Sequence, residues 1–109
     1  QYRTAFADAA GVAFPPDLPD RAEPVIWFSC ALVAPERRTA AIEACRTANI
    51  DLRPFFNSLS AMPAFREFMK PCPVSASLSV TGINLPTSRR VTPEVARRVA
   101  KVIRSALDA

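Results

Sequence analysis

The 109-residue sequence contains no histidine. That removes the commonest general base, every Ser-His-Asp or Cys-His arrangement, and the imidazole ligands of most catalytic metal sites. No apolar run approaches the roughly 20 residues of a membrane-spanning helix, so no membrane partner is expected. Three cysteines, Cys30, Cys45 and Cys72, are too few and too unevenly spaced for a disulfide framework or a zinc site. We expect reduced, mostly buried thiols, no metal, and a cytoplasmic setting. No basic-then-apolar secretory signal stands at the start, and the first residue is Gln1, which reads as a chain cut from something longer.

What is present fits one compact unit. Half of the residues are apolar and 22% are charged, ordinary proportions for a globular domain. One hundred and nine residues allow a single modest core but not a core plus a second lobe. The net charge of +4 is carried by arginine far more than by lysine, since only Lys70 and Lys101 are lysines.

The spacing of Tyr2, Phe6 and Ala9 or Ala10 predicts a helix ending at Gly11, and the proline-rich stretch from Phe14 to Asp20 predicts a surface excursion. Val25 to Val33, bounded by Pro24 and Pro35, is rich in β-branched and aromatic residues and reads as a buried central strand. Pro35 opens an amphipathic helix with Ile42 and Cys45 inward, stopped by a left-handed cap at Asn49. Ile50 to Leu52 reads as a short strand, Pro63 as the start of a short helix with Phe65, Phe68 and Met69 on one face, and Pro73 to Leu78 as another. Gly82 is expected to stop that helix, and Ile83 to Pro86 to be extended.

Thr92-Pro93-Glu94 combines a hydroxyl cap, a first-position proline and an acid near the positive helix end, predicting a last helix to about Leu107. Val95, Val99, Val102, Ile103 and Ala106 would be its apolar stripe. Arg97, Arg98, Lys101 and Arg104 would form a solvated face, and without interleaved aromatics no nucleic-acid partner is expected. The sum is an α/β (α+β) fold, a small sheet of about three strands covered by helices.

Arg53 is the most site-like residue. A guanidinium followed by Pro54, Phe55 and Phe56 suits a carboxylate or phosphate, and Asn57, Ser58 and Ser60 add hydrogen-bonding capacity. A purely local reading stays open, with Arg53 paired to a nearby acid and both phenylalanines in the core.

Five segments, in order, resemble one family: Ile50-Asp51-Leu52-Arg53-Pro54-Phe55-Phe56; Ser60-Ala61-Met62-Pro63-Ala64-Phe65; Pro73 through Ser79; Gly82-Ile83-Asn84-Leu85-Pro86-Thr87; and Val91-Thr92-Pro93 with its helix. They are similar to the C-terminal part of the DegT/DnrJ/EryC1/StrS aminotransferases, over about residues 24 to 108, with Arg-Pro-Phe-Phe followed by Ser-x-x-Pro closest to the perosamine-synthase-like branch. Asn49 stands where the family usually has glycine, and Asn57-Ser58-Leu59-Ser60 replaces the more usual Tyr-Pro-Leu followed by His or Ser.

The resemblance implies the small C-terminal domain of a fold-type-I pyridoxal-phosphate (PLP) enzyme, with residues 1–23 a truncated linking helix and loop and residues 24–109 the core. It implies glutamate as amino donor, a nucleotide-linked keto-sugar as acceptor, and a homodimer in which this domain closes over the substrate. The large PLP-binding domain, with the Schiff-base lysine, would lie elsewhere. Lys70 at a proline-flanked helix end and Lys101 on the charged face offer no sheltered amine, so neither catalytic nor cofactor-binding residues are expected on this chain. Arg53, Phe55, Phe56, Asn57, Ser58 and Ser60 become the expected substrate-binding set. Two alternatives are a sugar dehydratase of the same family and a free-standing, non-catalytic α/β binding module.

Overall fold

The computed structural model describes residues 1–23 and 25–109. Its elements are helix α1 (Tyr2–Ala5), strands β1 (Val12–Ala13) and β2 (Ser29–Val33), helix α2 (Pro35–Thr47), strand β3 (Arg53–Pro54), helix α3 (Pro73–Thr81), strand β4 (Gly82–Leu85) and helix α4 (Pro93–Asp108). Two 3₁₀ segments, Leu59–Ala61 and Pro63–Phe68, lie between β3 and α3.

The sheet runs β1-β2-β4-β3 and every pairing is antiparallel. Among the described residues the sheet therefore has four strands, one more than the approximate three expected. The added strand, β1, sets Val12 and Ala13 against Val33 and Leu32; two residues are too short to show a period-two pattern.

The central strand is shorter than the apolar run that predicted it. Its ladder starts at Ser29, which faces Leu85, the last residue of β4. The next residue, Pro86, has no N–H to give, so the segment before Ser29 loses its ladder partner. The Thr87 hydroxyl closes that end by accepting from the Ser29 N–H at 2.9 Å and donating to the Leu85 carbonyl at 3.0 Å. Val25, Ile26 and Trp27 are consequently exposed instead of buried. Pro24, the expected boundary of that run, lies outside the described residues.

The expected Ile50–Leu52 strand is displaced to Arg53–Pro54, while Ile50 and Leu52 sink into the core. Pro54 is tolerated because β3 is an edge strand, where a missing donor breaks no ladder. The helix expected over residues 2 to 10 stops at Ala5, although Gly11 does adopt a left-handed φ of +80°. Pro63 opens a 3₁₀ turn with Phe65, Phe68 and Met69 exposed, and α3 runs past Leu78 to Thr81. Gly82 is no left-handed stop; it is extended, and a Cβ there would lie 2.6 Å from the Phe55 Cβ and 2.7 Å from the Leu78 carbonyl oxygen.

α2 ends as the sequence predicts. Asn49 sits at φ +55°, its N–H donates to Arg46, and the Ile50 N–H reaches back to Cys45 at 2.8 Å, the double bond of a Schellman motif. α4 also starts as predicted, with the Thr92 hydroxyl accepting from the Val95 N–H at 3.3 Å. Its inward stripe is rotated, however: Ala96, Val99, Ala100 and Ile103 are buried, whereas Val95 is exposed. α4 packs against both α2 and α1, and its buried face carries the small residues Ala96 and Ala100, which bulk apolarity alone does not reveal. Tyr2 and Phe6 join this same core with Ala31, Val33, Ile83 and Leu85. Of the thiols, Cys45 is buried, Cys30 half-buried and Cys72 exposed, so Cys72 departs from the expected burial.

Candidate functional site

Sheet register divides the strand residues into two faces. Ala31, Val33, Ile83 and Leu85 point into the helix-covered core. Their neighbours point the other way, because side chains alternate along a strand. In register across β2, β4 and β3 stand Cys30, Asn84 and Arg53, so these three share the second face.

Asn84 binds the three strands together there. It is 6% exposed, its Nδ2 donates to the Pro54 carbonyl at 3.3 Å, and its Oδ1 lies 3.2 Å from the Cys30 Sγ, which donates to it. Burial pushes the Cys30 thiol up, keeping it protonated and able to donate. The clue to Asn84 in the sequence is a lone amide between Ile83 and Leu85 in an extended segment.

Arg53 is exposed at the edge. Its Nε donates to Asp51 Oδ1 at 3.0 Å and its Nη2 to Oδ2 at 3.1 Å. The side-chain hydrogen bond with Asp51, then that residue's charge, raises the Arg53 pKa further. The pairing with a local acid is thus present, yet the guanidinium stays open to solvent.

The two phenylalanines part ways. Phe55 is half-buried, its N–H donating to the Gly82 carbonyl at 2.9 Å. Phe56 turns out to solvent, 54% exposed, and stacks with Trp27 at 5.9 Å and an interplanar angle of 25°. The core-filling reading of both rings therefore fails for Phe56. Ser58 is 3% exposed, and its Oγ lies 2.8 Å from that of Ser60. A cleft of about 360 Å³ has Phe55, Phe56, Asn57, Ser58 and Ser60 on its lining, with Leu59, Cys72, Ser75 and Leu78 completing its wall. Five of the six expected residues are brought together, and Arg53 is not on that lining.

A larger cavity of about 720 Å³ lies between the N-terminal segment and the loop after β4. Tyr2 and Phe14 line it from one side, Cys30 from the sheet with Phe28 from the segment just before β2, and Thr87 and Arg89 from the loop. The Tyr2 hydroxyl donates to the Pro86 carbonyl at 2.7 Å, joining segments 84 residues apart. Such a long-range contact leaves no local sequence signal. Arg3, also on the rim, is engaged locally by the Pro15 carbonyl, by Asp17 at 3.4 Å and by the Phe14 ring.

Lys70 and Lys101 are both exposed. Among the described residues no group of three potential metal ligands occurs, and no helix is long and apolar enough to cross a membrane.

No curated protein matches the chain. Among solved structures it is similar to DesV of S. venezuelae, captured with a ketimine intermediate, with 21% identity, a TM-score of 0.84, and 99% of this chain aligned on 29% of that one. It is similar to the sugar aminotransferase CalS13 of Micromonospora echinospora at 19% identity and TM-score 0.80, with 95% of this chain on 27% of that one. The PLP form of Spr1654 from Streptococcus pneumoniae gives 15% identity and TM-score 0.82, with 98% on 29%. At such identities the likeness is one of fold, and the chain spans less than a third of each of these proteins. A family model matches residues 1–104, nearly the entire sequence, and the chain belongs to the DegT/DnrJ/EryC1/StrS aminotransferase family.

Proposed function

We propose that this chain is the C-terminal small domain of a PLP-dependent aminotransferase that moves an amino group from glutamate to a nucleotide-linked keto-sugar. The observation that carries the reading is the family match over residues 1–104 in a chain that spans less than a third of its structural relatives. A fold shared with the PLP form of Spr1654 supports the cofactor. The complete enzyme is read as a cytoplasmic homodimer.

The residues of this chain do not themselves fit a PLP anchor. A Schiff-base lysine needs a shielded pocket and a lowered pKa, whereas Lys70 and Lys101 are exposed. The chemistry is assigned to the large domain, and this chain binds and orients. Arg53, pre-aimed by Asp51, offers a charged fork for a phosphate or carboxylate. Phe55, Phe56, Asn57, Ser58 and Ser60 give a cleft with an aromatic wall and a hydroxyl pair. Closure of such a domain would exclude water and commit the substrate.

The test has two parts. The enzyme encoded by the gene that carries this chain should convert a nucleotide-linked keto-sugar to its amino sugar in a glutamate-dependent manner. The 109-residue chain by itself should give no stoichiometric, borohydride-trappable adduct with pyridoxal phosphate. A stoichiometric adduct on Lys70 or Lys101 would sink the division of labour.

A further inference from the structure

We propose that Trp27 is the platform on which the planar base of the nucleotide-linked substrate stacks; this rests on the reading of the chain as part of a nucleotide-sugar enzyme. An indole is costly to leave in water, and Trp27 is 73% exposed. Its exposure follows from the backbone, because Pro86 ends the ladder opposite Ser29 and leaves the preceding segment unpaired.

The ring is nonetheless held in position. It lies 4.6 Å from Phe28 and 5.9 Å from Phe56, nearly parallel to the latter. Phe28 and Phe56 in turn meet edge to face at 6.1 Å, and Phe56 meets Phe55 at 5.7 Å. Four rings thus form a continuous group with its largest member outermost. A pre-positioned aromatic surface loses little entropy on binding, and every base has a face to lay on it.

The arrangement favours the nucleotide end of the substrate over the reacting sugar. Neither lysine is sheltered, so the reacting carbon meets no cofactor anchor on this chain. Phe56, against which Trp27 stacks, is also a wall of the cleft that holds the other expected substrate residues. Arg53 stands three residues before it, with Asp51 engaging Nε and Nη2 but not Nη1, and a guanidinium suits a diphosphate. Binding energy gathered at a remote, non-reacting end serves to orient the reacting end.

The experiment compares Trp27→Ala and Trp27→Phe in the enzyme that carries this chain. Trp27→Ala should raise KM for the nucleotide-linked keto-sugar about tenfold or more, with KM for glutamate and Tm unchanged. Trp27→Phe should recover most of the loss. A free nucleoside diphosphate, used as a competitive inhibitor, should weaken by the same factor, while inorganic pyrophosphate keeps its own affinity. Equal sugar KM values for wild type and Trp27→Ala overturn the proposal. So does a loss shared by both substrates with a fall in Tm, which makes the indole a packing contact with the rest of the enzyme. If the wild type turns over no nucleotide-linked keto-sugar, the functional reading fails first and this inference with it.

Discussion

Arg98 reaches from α4 to the end of α2, where its Nη2 donates to the Ala48 carbonyl at 2.7 Å. The last carbonyls of a helix lack partners within it and carry partial negative charge, so a guanidinium is well matched there. One member of the basic face thus stitches two packed helices together. Arg98→Ala should lower stability by about 1 kcal/mol, whereas Lys101→Ala should change it by less than about 0.5 kcal/mol. Urea midpoints of the two variants measure the difference, and equal midpoints would return Arg98 to a solvated role.

Asn49 holds the left-handed turn after α2, at φ +55°. A side chain with a Cβ but no local hydrogen-bonding group pays about 1 to 2 kcal/mol in that region, and glycine pays nothing. Asn49→Ala should therefore destabilise by about 1 kcal/mol, and Asn49→Gly should be neutral or stabilising. Thermal unfolding decides it, since the reverse order would mean that the turn relaxes in solution.

The features legible in the sequence are those fixed by local chemistry. Asn49 as a cap, Thr92-Pro93-Glu94 as a helix start and the Pro35 helix all follow from rules that act within one turn. The errors occur where a partner distant in sequence decides. Trp27 reads as core until Pro86 is placed beyond the end of β4, and the inward stripe of α4 cannot be aligned without knowing that both α2 and α1 pack against it. In the site, Phe55 through Ser60 are contiguous and could be found together. Cys72, Ser75 and Trp27 come from other segments and could not.

Gly82 is where close approach, not backbone freedom, demands glycine. A methyl group would meet the Phe55 Cβ at 2.6 Å and the Leu78 carbonyl oxygen at 2.7 Å, and neither is the flexible end of a side chain. Gly82→Ala should cost about 3 kcal/mol or more. Adding Phe55→Ala should not rescue it, because that variant keeps the Cβ and leaves the Leu78 carbonyl in place. Rescue in a chemical denaturation series would show that the Phe55 ring, not the backbone, sets the limit.

Two buried acids make stability fall in alkali. Burial pushes the Cys45 thiol from its ordinary 9.0 up to about 11. Burial, and then the charge of Cys45, pushes the Tyr2 phenol from 10.0 up to about 12. Unfolded, both groups release protons at their ordinary values, while the folded chain retains them. Their contribution is complete below about pH 9 and is lost as pH rises toward 12, at up to about 1.4 kcal/mol per pH unit for each group. Denaturant midpoints across this range should decline, and Cys45→Ala should flatten the part between about pH 9 and 11 from a lower baseline. A flat wild-type profile would mean that water reaches these groups.

Arg53 separates binding from stability. Its ion pair with Asp51 is 70% and 71% exposed on the two side chains, and pairs in water contribute little to folding. Arg53→Ala should therefore leave Tm nearly unchanged in the enzyme that carries this chain. If the guanidinium grips the substrate, its KM for the nucleotide-linked sugar should rise markedly, with kcat affected less. Arg53→Lys tests the fork itself, because an ammonium keeps the charge but cannot pair at two points and should recover only part of the affinity. Asp51→Asn frees the fork without removing it, so it should weaken orientation, and hence binding, less than Arg53→Ala does. A fall in Tm with unchanged kinetics would instead make Asp51 and Arg53 a structural pair at the edge of β3.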